Sequence, residues 1–195
     1  MSDTPRLPAF ANVHLTFDDG PDPVWTSRCL DVLAEAHARA TFFLIGAQAR
    51  RHAALTRRIA REGHVIGNHT FTHAHPWTLD RYRAAAEVRD GAEAIADALG
   101  TMPTLFRPPH GRRRRAMLEE ARAQGESLVM WDVSVIDWGW LGTAPRIASR
   151  LTRARDGDIV LMHDGANKHN RPDQLLAVLP AYLRSRARAT AAIVI

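Results

Sequence analysis

The sequence predicts an α/β fold, a distorted or incomplete (β/α) barrel of about seven strands, with its functional site at the C-terminal ends of the strands. Three observations favour it. Short apolar runs alternate with segments of helical periodicity. The apolar runs are nearly continuous, as in strands covered on both faces. Polar residues able to do chemistry follow strand after strand. Because a regular barrel usually takes roughly 250 residues, an open doubly wound sheet remains the alternative.

The predicted strands are short apolar runs bounded by Gly, Pro or a polar turn. They cover residues 13–17, 40–46, 64–69, 104–107, 127–133, 158–162 and 191–195. Glycine ends the second run, and Pro108 and Pro109 stop the fourth, since proline cannot continue a sheet ladder.

The predicted helices lie between these strands, over residues 26–39, 49–62, 79–99, 116–124, 144–155 and 172–188. The first repeats apolar residues at helical spacing, with Leu30, Leu33 and Ala36 on one face. A helix between successive strands implies parallel pairing with right-handed crossovers. The C-terminal ends of all strands are then expected on one face.

Bulk composition predicts one domain over residues 1–195. A hydrophobic content of 46% is enough for a sizeable core. The N-terminus has no basic segment leading into an apolar one, and no run approaches a membrane span. We therefore expect a cytoplasmic protein with no membrane partner. The single cysteine, Cys29, excludes an intrachain disulfide and agrees with a reducing compartment.

The formal charge of +5 and the densest basic run, Arg112 to Arg115, raise the question of a polyanion partner. Nearly all basic residues are Arg and the chain is rich in Ala, which is typical of a GC-rich genome. No zinc-finger or RNA-binding signature accompanies the run. We predict a solvated helix start and no nucleic-acid partner; a basic-patch binding module that retains only the fold is the non-enzymatic alternative.

Two adjacent carboxylates, Asp18 and Asp19, end the first predicted strand. Buried charges require partners or a metal, so their position is informative. Successive side chains on an extended backbone point opposite ways. One carboxylate is therefore suited to hold a metal and the other to handle protons, although a turn with two solvated Asp residues is the simpler interpretation.

Two histidines four residues apart, His69 and His73, follow the third predicted strand. This spacing places both imidazoles on one face of a helical turn, from which both can reach one ion. With a carboxylate from Asp18 or Asp19 they form a two-His-one-carboxylate set. That set fits catalytic zinc or non-haem iron, so a non-haem iron oxygenase is a second enzyme class to consider.

Two further segments contain groups suited to catalysis. The Pro-rich turn after Arg107 fixes the backbone, so that a main-chain N–H there is pre-aimed as an oxyanion donor. His163 ends a buried strand, where a neighbouring carboxylate would keep the imidazole protonated. A solvated Arg and a structural His are the plainer interpretations.

Five motifs in order resemble the polysaccharide deacetylases of the NodB homology domain, carbohydrate esterase family 4. They are TFDDG at 16–20, HTFTH at 69–73, RPPHG at 107–111, DW at 137–138 and LMH at 161–163. The resemblance runs from about residue 13 to residue 164, most of the chain. Five ordered motifs are far more specific than any one of them.

The resemblance implies a metal-dependent hydrolase. Asp18 would be the general base and Arg107 would orient it. Asp19, His69 and His73 would hold one divalent transition metal, zinc first, with cobalt or nickel as alternatives.

It further implies a backbone N–H of His110 in the oxyanion hole and His163 as general acid, tuned by Asp137. Trp138 would line the pocket and Leu161 would meet the acetyl methyl. Where the family usually has Tyr or Phe, this chain has His110, and a further acid often found before motif four is Ser134 here; both departures bear on sugar preference.

The expected reaction is removal of an N-acetyl group from an N-acetylamino sugar compound, releasing acetate and a free amine. The partner would be a small soluble N-acetylated sugar, chitooligosaccharide-like or a biosynthetic intermediate. O-acetyl ester cleavage by the same machinery is the competing activity. The sequence leaves the oligomeric state open.

Overall fold

Seven parallel strands form one curled sheet in the computed structural model, which describes residues 13–187. The strands are β1 (His14–Asp18), β2 (Thr41–Leu44), β3 (Val65–Asn68), β4 (Leu105–Phe106), β5 (Ser127–Leu128), β6 (Val133–Ser134) and β7 (Ile159–His163). Their order in the sheet is β5-β4-β3-β2-β1-β7-β6. The predicted distorted barrel is confirmed.

Helices connect the strands and cover the sheet. They are α1 (Trp25–Glu35), α2 (Gly46–Arg51), α3 (Ala53–Arg61), α4 (Arg81–Leu99), α5 (Arg115–Ala123), α6 (Ala144–Leu151), α7 (Pro172–Leu176) and α8 (Leu179–Ala187). Short 3-10 turns occupy Pro76–Thr78, Pro109–Gly111 and Gly139–Leu141. Over residues 13–187, none of these helices combines the length and apolarity needed to cross a membrane.

The predicted helix over residues 49–62 is wrong as a single element. It is two helices, α2 and α3, separated at His52, whose φ of −117° and ψ of 46° are not helical. The predicted helix over residues 172–188 is likewise divided into α7 and α8. Side-chain periodicity continues across such a break, so the pattern alone does not show it.

The predicted strand over residues 127–133 is also wrong as a single element. Its two ends are β5, which pairs with β4, and β6, which pairs with β7. These are the two edges of the sheet, so one apolar run supplies both. The predicted last strand, 191–195, lies outside the described residues.

This division explains why the sheet is curled. In a flat sheet of seven strands the two edges would lie about 29 Å apart, at about 4.8 Å per strand. The chain from Leu128 to Val133 spans at most about 18 Å. The edges must therefore approach each other, and residues 129–132 bridge the gap between them.

The core lies between β1, β2, β7 and the helices packed on them. Leu15, Phe17, Phe42 and Val160 are fully buried, and the rings of Phe17 and Phe42 stack with centroids 5.1 Å apart. Burial on both faces explains why the central strands read as continuous apolar runs. Because the strands are parallel, the C-terminal ends of β1, β3 and β7 lie at the same end of the sheet.

Candidate active site

A pocket of about 290 Å³ lies at the C-terminal ends of the strands. Every predicted site residue lines it except Arg107 and Asp137. Those two are fully buried and contact pocket residues from behind. Sheet topology thus brings together residues that are as far apart in sequence as Asp18 and His163.

The two carboxylates at the end of β1 lie on backbone of different conformation. Asp18 is the last strand residue, whereas Asp19 has a left-handed backbone with φ of 75°. Gly165 packs against this bend so closely that a Cβ there would lie 2.2 Å from the carbonyl oxygen of Asp19. Only glycine permits that approach, and it fixes the position of the Asp19 backbone.

His69 and His73 reach the same point through a loop, and the predicted helical turn is wrong. Thr70 and His73 have positive φ values of 68° and 62°, and the Asn68 side chain accepts from the Thr70 N–H at 2.9 Å. His69 Nδ1 lies 2.6 Å from the carbonyl oxygen of Arg107. Since a carbonyl only accepts, Nδ1 carries a proton and Nε2 is free to act as a ligand.

Asp19, His69 and His73 form a candidate metal site. One ligand atom from each lies within 4.8 Å of the others, and Asp19 Oδ1 is 3.5 Å from His69 Nε2 and 3.2 Å from His73 Nε2. Asp19 Oδ1 is buried and has no hydrogen-bond partner among the described residues. An orphaned carboxylate oxygen facing two imidazoles fits a divalent cation, and this donor set is typical of catalytic zinc.

The charge states of His73 and Asp19 agree with metal binding. Burial, with His69 nearby, lowers the pKa of His73 to about 4, so its ring is neutral at neutral pH. Burial opposes ionisation of Asp19, yet the nearby imidazoles of His69, His163 and His73 hold its pKa well below the usual range. A neutral imidazole beside an ionised carboxylate is the form that coordinates a metal. Burial lowers the pKa of His69, but the charges of Asp18 and Asp19 outweigh it and raise that pKa, so His69 gives up a proton when a cation binds.

The other oxygen of Asp19 is held by two asparagines that the sequence interpretation missed. Asn170 Nδ2 donates to Asp19 Oδ2 at 2.7 Å, and Asn167 Nδ2 does so at 3.2 Å. Asn170 also pairs with Trp138 through an isolated antiparallel bridge. The sequence feature that could have identified both asparagines is the polar run at 164–170. It follows β7 directly, and site residues follow the other strands at the same position.

Arg107 holds Asp18 from below the pocket. Its Nη1 lies 2.7 Å from Asp18 Oδ1 and 2.8 Å from the Thr16 hydroxyl. Its Nε and Nη2 donate to the carbonyls of Val129 and Met130, both at 3.1 Å. The guanidinium is fully buried. Its four oxygen acceptors and the rings of Phe43 and Trp131 provide the partners that a buried cation requires.

The turn at Pro109–Gly111 places His110 beside the candidate metal site. His110 has a positive φ of 55°, and its ring centroid is 4.8 Å from that of His73 and 5.1 Å from that of His75. The imidazole that replaces the family's Tyr or Phe is thus packed between two other imidazoles.

His163 and Asp137 form a second charged pair on the opposite wall. His163 Nδ1 lies 2.8 Å from Asp137 Oδ1, and the His163 backbone N–H donates to Oδ2 at 2.7 Å. Burial lowers the pKa of His163, but the Asp137 charge and hydrogen bond outweigh it and raise it to about 9. The ring meets Trp138 edge-on at 5.3 Å, and Leu161 lies two residues back on the same strand face.

A family model described as polysaccharide deacetylase matches residues 8–129. The chain belongs to the polysaccharide deacetylase family. Polysaccharide deacetylases that resemble it include a peptidoglycan-N-acetylglucosamine deacetylase of Bacillus cereus, 36% identical over 86% of this chain and 80% of that protein. A chitooligosaccharide deacetylase of Rhizobium leguminosarum bv. trifolii is 38% identical over 79% of this chain and 72% of its own length.

Among solved polysaccharide deacetylases, a family 4 carbohydrate esterase from Streptomyces lividans in complex with acetate matches with a TM-score of 0.81. The two chains are 32% identical, and the match covers 91% of this chain and 88% of the esterase chain. The match extends well beyond residue 129, so the shared fold includes strands beyond the segment matched by the family model.

Proposed function

We propose that this polysaccharide deacetylase is a metal-dependent hydrolase that removes the N-acetyl group from an N-acetylamino sugar compound. The products are acetate and a free amine. One observation carries the proposal: a single pocket presents an orphaned carboxylate oxygen between two imidazoles, an Arg-held carboxylate and a His with a raised pKa. The activities named for the two relatives support it.

The metal would be held by Asp19, His69 and His73, with zinc as the first candidate and cobalt or nickel next. When bound, such an ion supplies Lewis acidity, polarising a carbonyl oxygen and lowering the pKa of a water from 15.7 to about 7. Asn170 and Asn167 then occupy the second oxygen of Asp19 and keep its first oxygen turned toward the imidazoles.

Asp18 is placed to accept the proton of the attacking water. Its Oδ2 is the oxygen not used by Arg107 Nη1, and it lies 3.7 Å from His69 Nε2, on the side of the candidate metal site. Arg107 keeps the carboxylate oriented by a charge-assisted hydrogen bond. The water oxygen adds to the acyl carbon while its proton passes to Asp18.

His163 is placed to protonate the leaving nitrogen. With a pKa of about 9, its imidazole is cationic at neutral pH. The C–N bond breaks as the proton moves from His163 to the nitrogen, and the acyl group leaves as acetate. The backbone N–H of His110, in its fixed turn, is the proposed donor to the developing oxyanion.

The raised pKa of His163 favours an amide substrate over an ester. An amine is a poor leaving group unless it is protonated as the bond breaks, whereas an alkoxide depends less on an acid. We therefore propose N-acetyl hydrolysis as the principal reaction, with chitooligosaccharides and small soluble N-acetylamino sugars as substrates.

The test is mass spectrometry of a chitooligosaccharide incubated with the zinc-loaded protein. The expected product lacks one acetyl group, and acetate appears in equal amount. The matched control is Asp18→Asn, which should keep its metal and lose turnover. Release of acetate only from O-acetylated xylooligosaccharides would refute N-deacetylation, and no effect of chelation on activity would refute metal dependence.

A further inference from the structure

The loop that carries both candidate histidine ligands has a backbone conformation that is unfavourable for most residues. We call residues 69–73 the ligand loop. Thr70 has a φ of 68° and His73 a φ of 62°, in the left-handed region that few residues other than glycine adopt. The region is least favourable for a β-branched side chain such as that of Thr70. Such a conformation persists only where the surrounding structure holds it, so the contacts of the ligand loop decide where His73 lies.

One side chain outside the ligand loop, that of Glu87 on α4, binds the residue directly before His73. Glu87 Oε2 accepts from the Thr72 N–H at 2.8 Å, and Oε1 accepts from the Thr72 hydroxyl at 2.6 Å. The Glu87 carbonyl also accepts from the Phe71 N–H at 2.8 Å. These three hydrogen bonds all go to the middle of the ligand loop. Glu87 does not line the catalytic pocket and has no part in the proposed reaction.

Helix α4 approaches the ligand loop at a residue that has no side chain. Gly91 lies in the interior of α4, a position where glycine is a poor helix former. A Cβ on Gly91 would lie 2.5 Å from Asn68 Oδ1 and 2.7 Å from the carbonyl carbon of Thr70. Glu87 and Gly91 are four residues apart and therefore face the same side of the helix. The absence of a side chain at Gly91 lets the helix come close enough for Glu87 to reach Thr72.

The start of α2 holds the first half of the ligand loop. The Gly46 N–H donates to the Thr70 carbonyl and the Ala47 N–H donates to the Phe71 carbonyl, both at 2.9 Å. Neither of these hydrogen bonds reaches Thr72. The second half of the ligand loop, next to the second histidine, is therefore held by the carboxylate on α4.

The two histidine ligands are thus held by different contacts. The His69 ring is fixed by its own hydrogen bond, since Nδ1 lies 2.6 Å from the carbonyl oxygen of Arg107. The His73 N–H donates to the Thr70 hydroxyl at 3.2 Å, but that bond lies within the ligand loop and does not fix the loop relative to the other ligands. Loss of the Glu87 contact should therefore displace His73 and leave His69 in place.

We propose that Glu87 is a positioning residue for the candidate metal site. The proposal rests on the proposed function. By binding Thr72 from α4, Glu87 maintains the left-handed backbone of His73, in which Nε2 lies 3.2 Å from Asp19 Oδ1. Three ligands are then already in place when a cation binds, and no binding free energy is lost in ordering the ligand loop. Without Glu87, two ligands are in place and the loop must be ordered on binding.

The first test is zinc affinity, measured by chelator competition. Glu87→Ala should raise the Kd for zinc about 10- to 100-fold, because a partner that orients a ligand is lost. Glu87→Gln should stay within about threefold of the parent, because an amide can still accept from the Thr72 N–H and donate to its hydroxyl. The matched control is Glu93→Ala, which removes an exposed carboxylate from the same helix and should leave the Kd unchanged. Equal Kd values in Glu87→Ala and the parent would overturn the proposal, as would an equal rise in Glu93→Ala.

The second test separates a positioning role from a general loss of stability. Cobalt bound at the same site absorbs visible light, and its bands depend on the number and geometry of its ligands. If Glu87 places His73, the spectrum of cobalt-loaded Glu87→Ala should differ from that of the parent, and Glu87→Gln should restore it. A contact that only stabilises the fold would leave the spectrum of the folded molecules unchanged. A parent spectrum in Glu87→Ala would therefore overturn the proposal even if zinc binding is weaker.

Thr72→Val tests the same contact should Glu87→Ala fail to fold. Thr72 is exposed, and valine removes its hydroxyl while keeping the N–H that binds Glu87. The Kd for zinc should rise about 2- to 10-fold, the fold-change that corresponds to one hydrogen bond. In that case an unchanged Kd would overturn the proposal.

Failure of the proposed function is distinguishable from failure of this proposal, since none of these measurements uses a sugar. If the zinc-loaded parent deacetylates no sugar but its Kd for zinc depends on Glu87, the deacetylation fails and the positioning role stands. If the Kd is the same with and without Glu87, the positioning role alone fails. A parent that binds neither zinc nor cobalt would overturn both.

Discussion

Replacing Asp137 by Asn removes the charge that holds a proton on His163. In the structure the two side chains are joined at 2.8 Å inside the protein. Burial by itself lowers the pKa of this imidazole, and the charge and hydrogen bond of Asp137, with smaller contributions from Asp19 and Asp18, raise it to about 9. Without that charge we expect the pKa of His163 to fall toward the ordinary value of 6.5.

The magnitude follows from the protonated fraction at a pH of about 8. A group with a pKa of about 9 is about 90% protonated there, and one with a pKa of 6.5 is about 3% protonated. The variant should therefore lose about 30-fold in kcat/KM at a pH of about 8 and much less at a pH of about 6. A cation at Asp19 lowers the pKa of His163 in parent and variant alike, so the separation of the two profiles is the quantity to measure.

The assay is the pH dependence of kcat/KM for a chitooligosaccharide at fixed zinc. The alkaline limb reports the acid of the free enzyme, and it should shift downward in Asp137→Asn. Asp97→Asn, an exposed carboxylate on α4, is the matched control and should leave the limb in place. An alkaline limb at the same pH in Asp137→Asn and the parent would refute His163 as the acid held by Asp137.

Three further predictions concern the metal ligands and a buried acid. Asn170→Ala should weaken zinc binding by about 10 to 100-fold, measured by chelator competition, because a hydrogen bond that orients a ligand is lost; an unchanged affinity contradicts this. Asp18→Asn should still bind zinc, but its kcat should fall by a factor of about 10² or more. Asp19→Asn should lose zinc. Equal loss of zinc in both variants would argue against separate roles for the two carboxylates. Burial raises the pKa of Glu126 to about 8. The folding stability of the parent protein should therefore fall as pH rises from the unfolded pKa of 4.5 through about 8. In Glu126→Gln, the denaturant midpoint should vary less over that pH range than it does in the parent.

The order of strands and helices could be predicted because the central strands are buried on both faces. β1 and β7 lie inside the predicted runs apart from one residue at the end of each. The exchange of partners between β5 and β6 could not be predicted, since an apolar run at 127–133 contains no information about which strand each end will meet. That depends on curvature, which is a property of the whole sheet.

The chemical residues were found because they follow strands and because five motifs appear in order. Asp19, His69 and His73 do come together, although the loop that joins the two histidines replaces the expected helical turn. Asn170 was missed because an amide in a loop is common and its partner is 151 positions away in sequence. Long-range hydrogen bonds of neutral side chains leave no local pattern.

Arg107 joins the seam of the barrel to the proposed base. The same guanidinium binds the carbonyls of Val129 and Met130, in the bridge between the two sheet edges, and the carboxylate of Asp18. Loosening of the seam therefore misdirects Asp18 at the same moment. On heating, loss of turnover and loss of tertiary structure should share one midpoint, so that residual activity measures the fraction of molecules whose barrel is still closed.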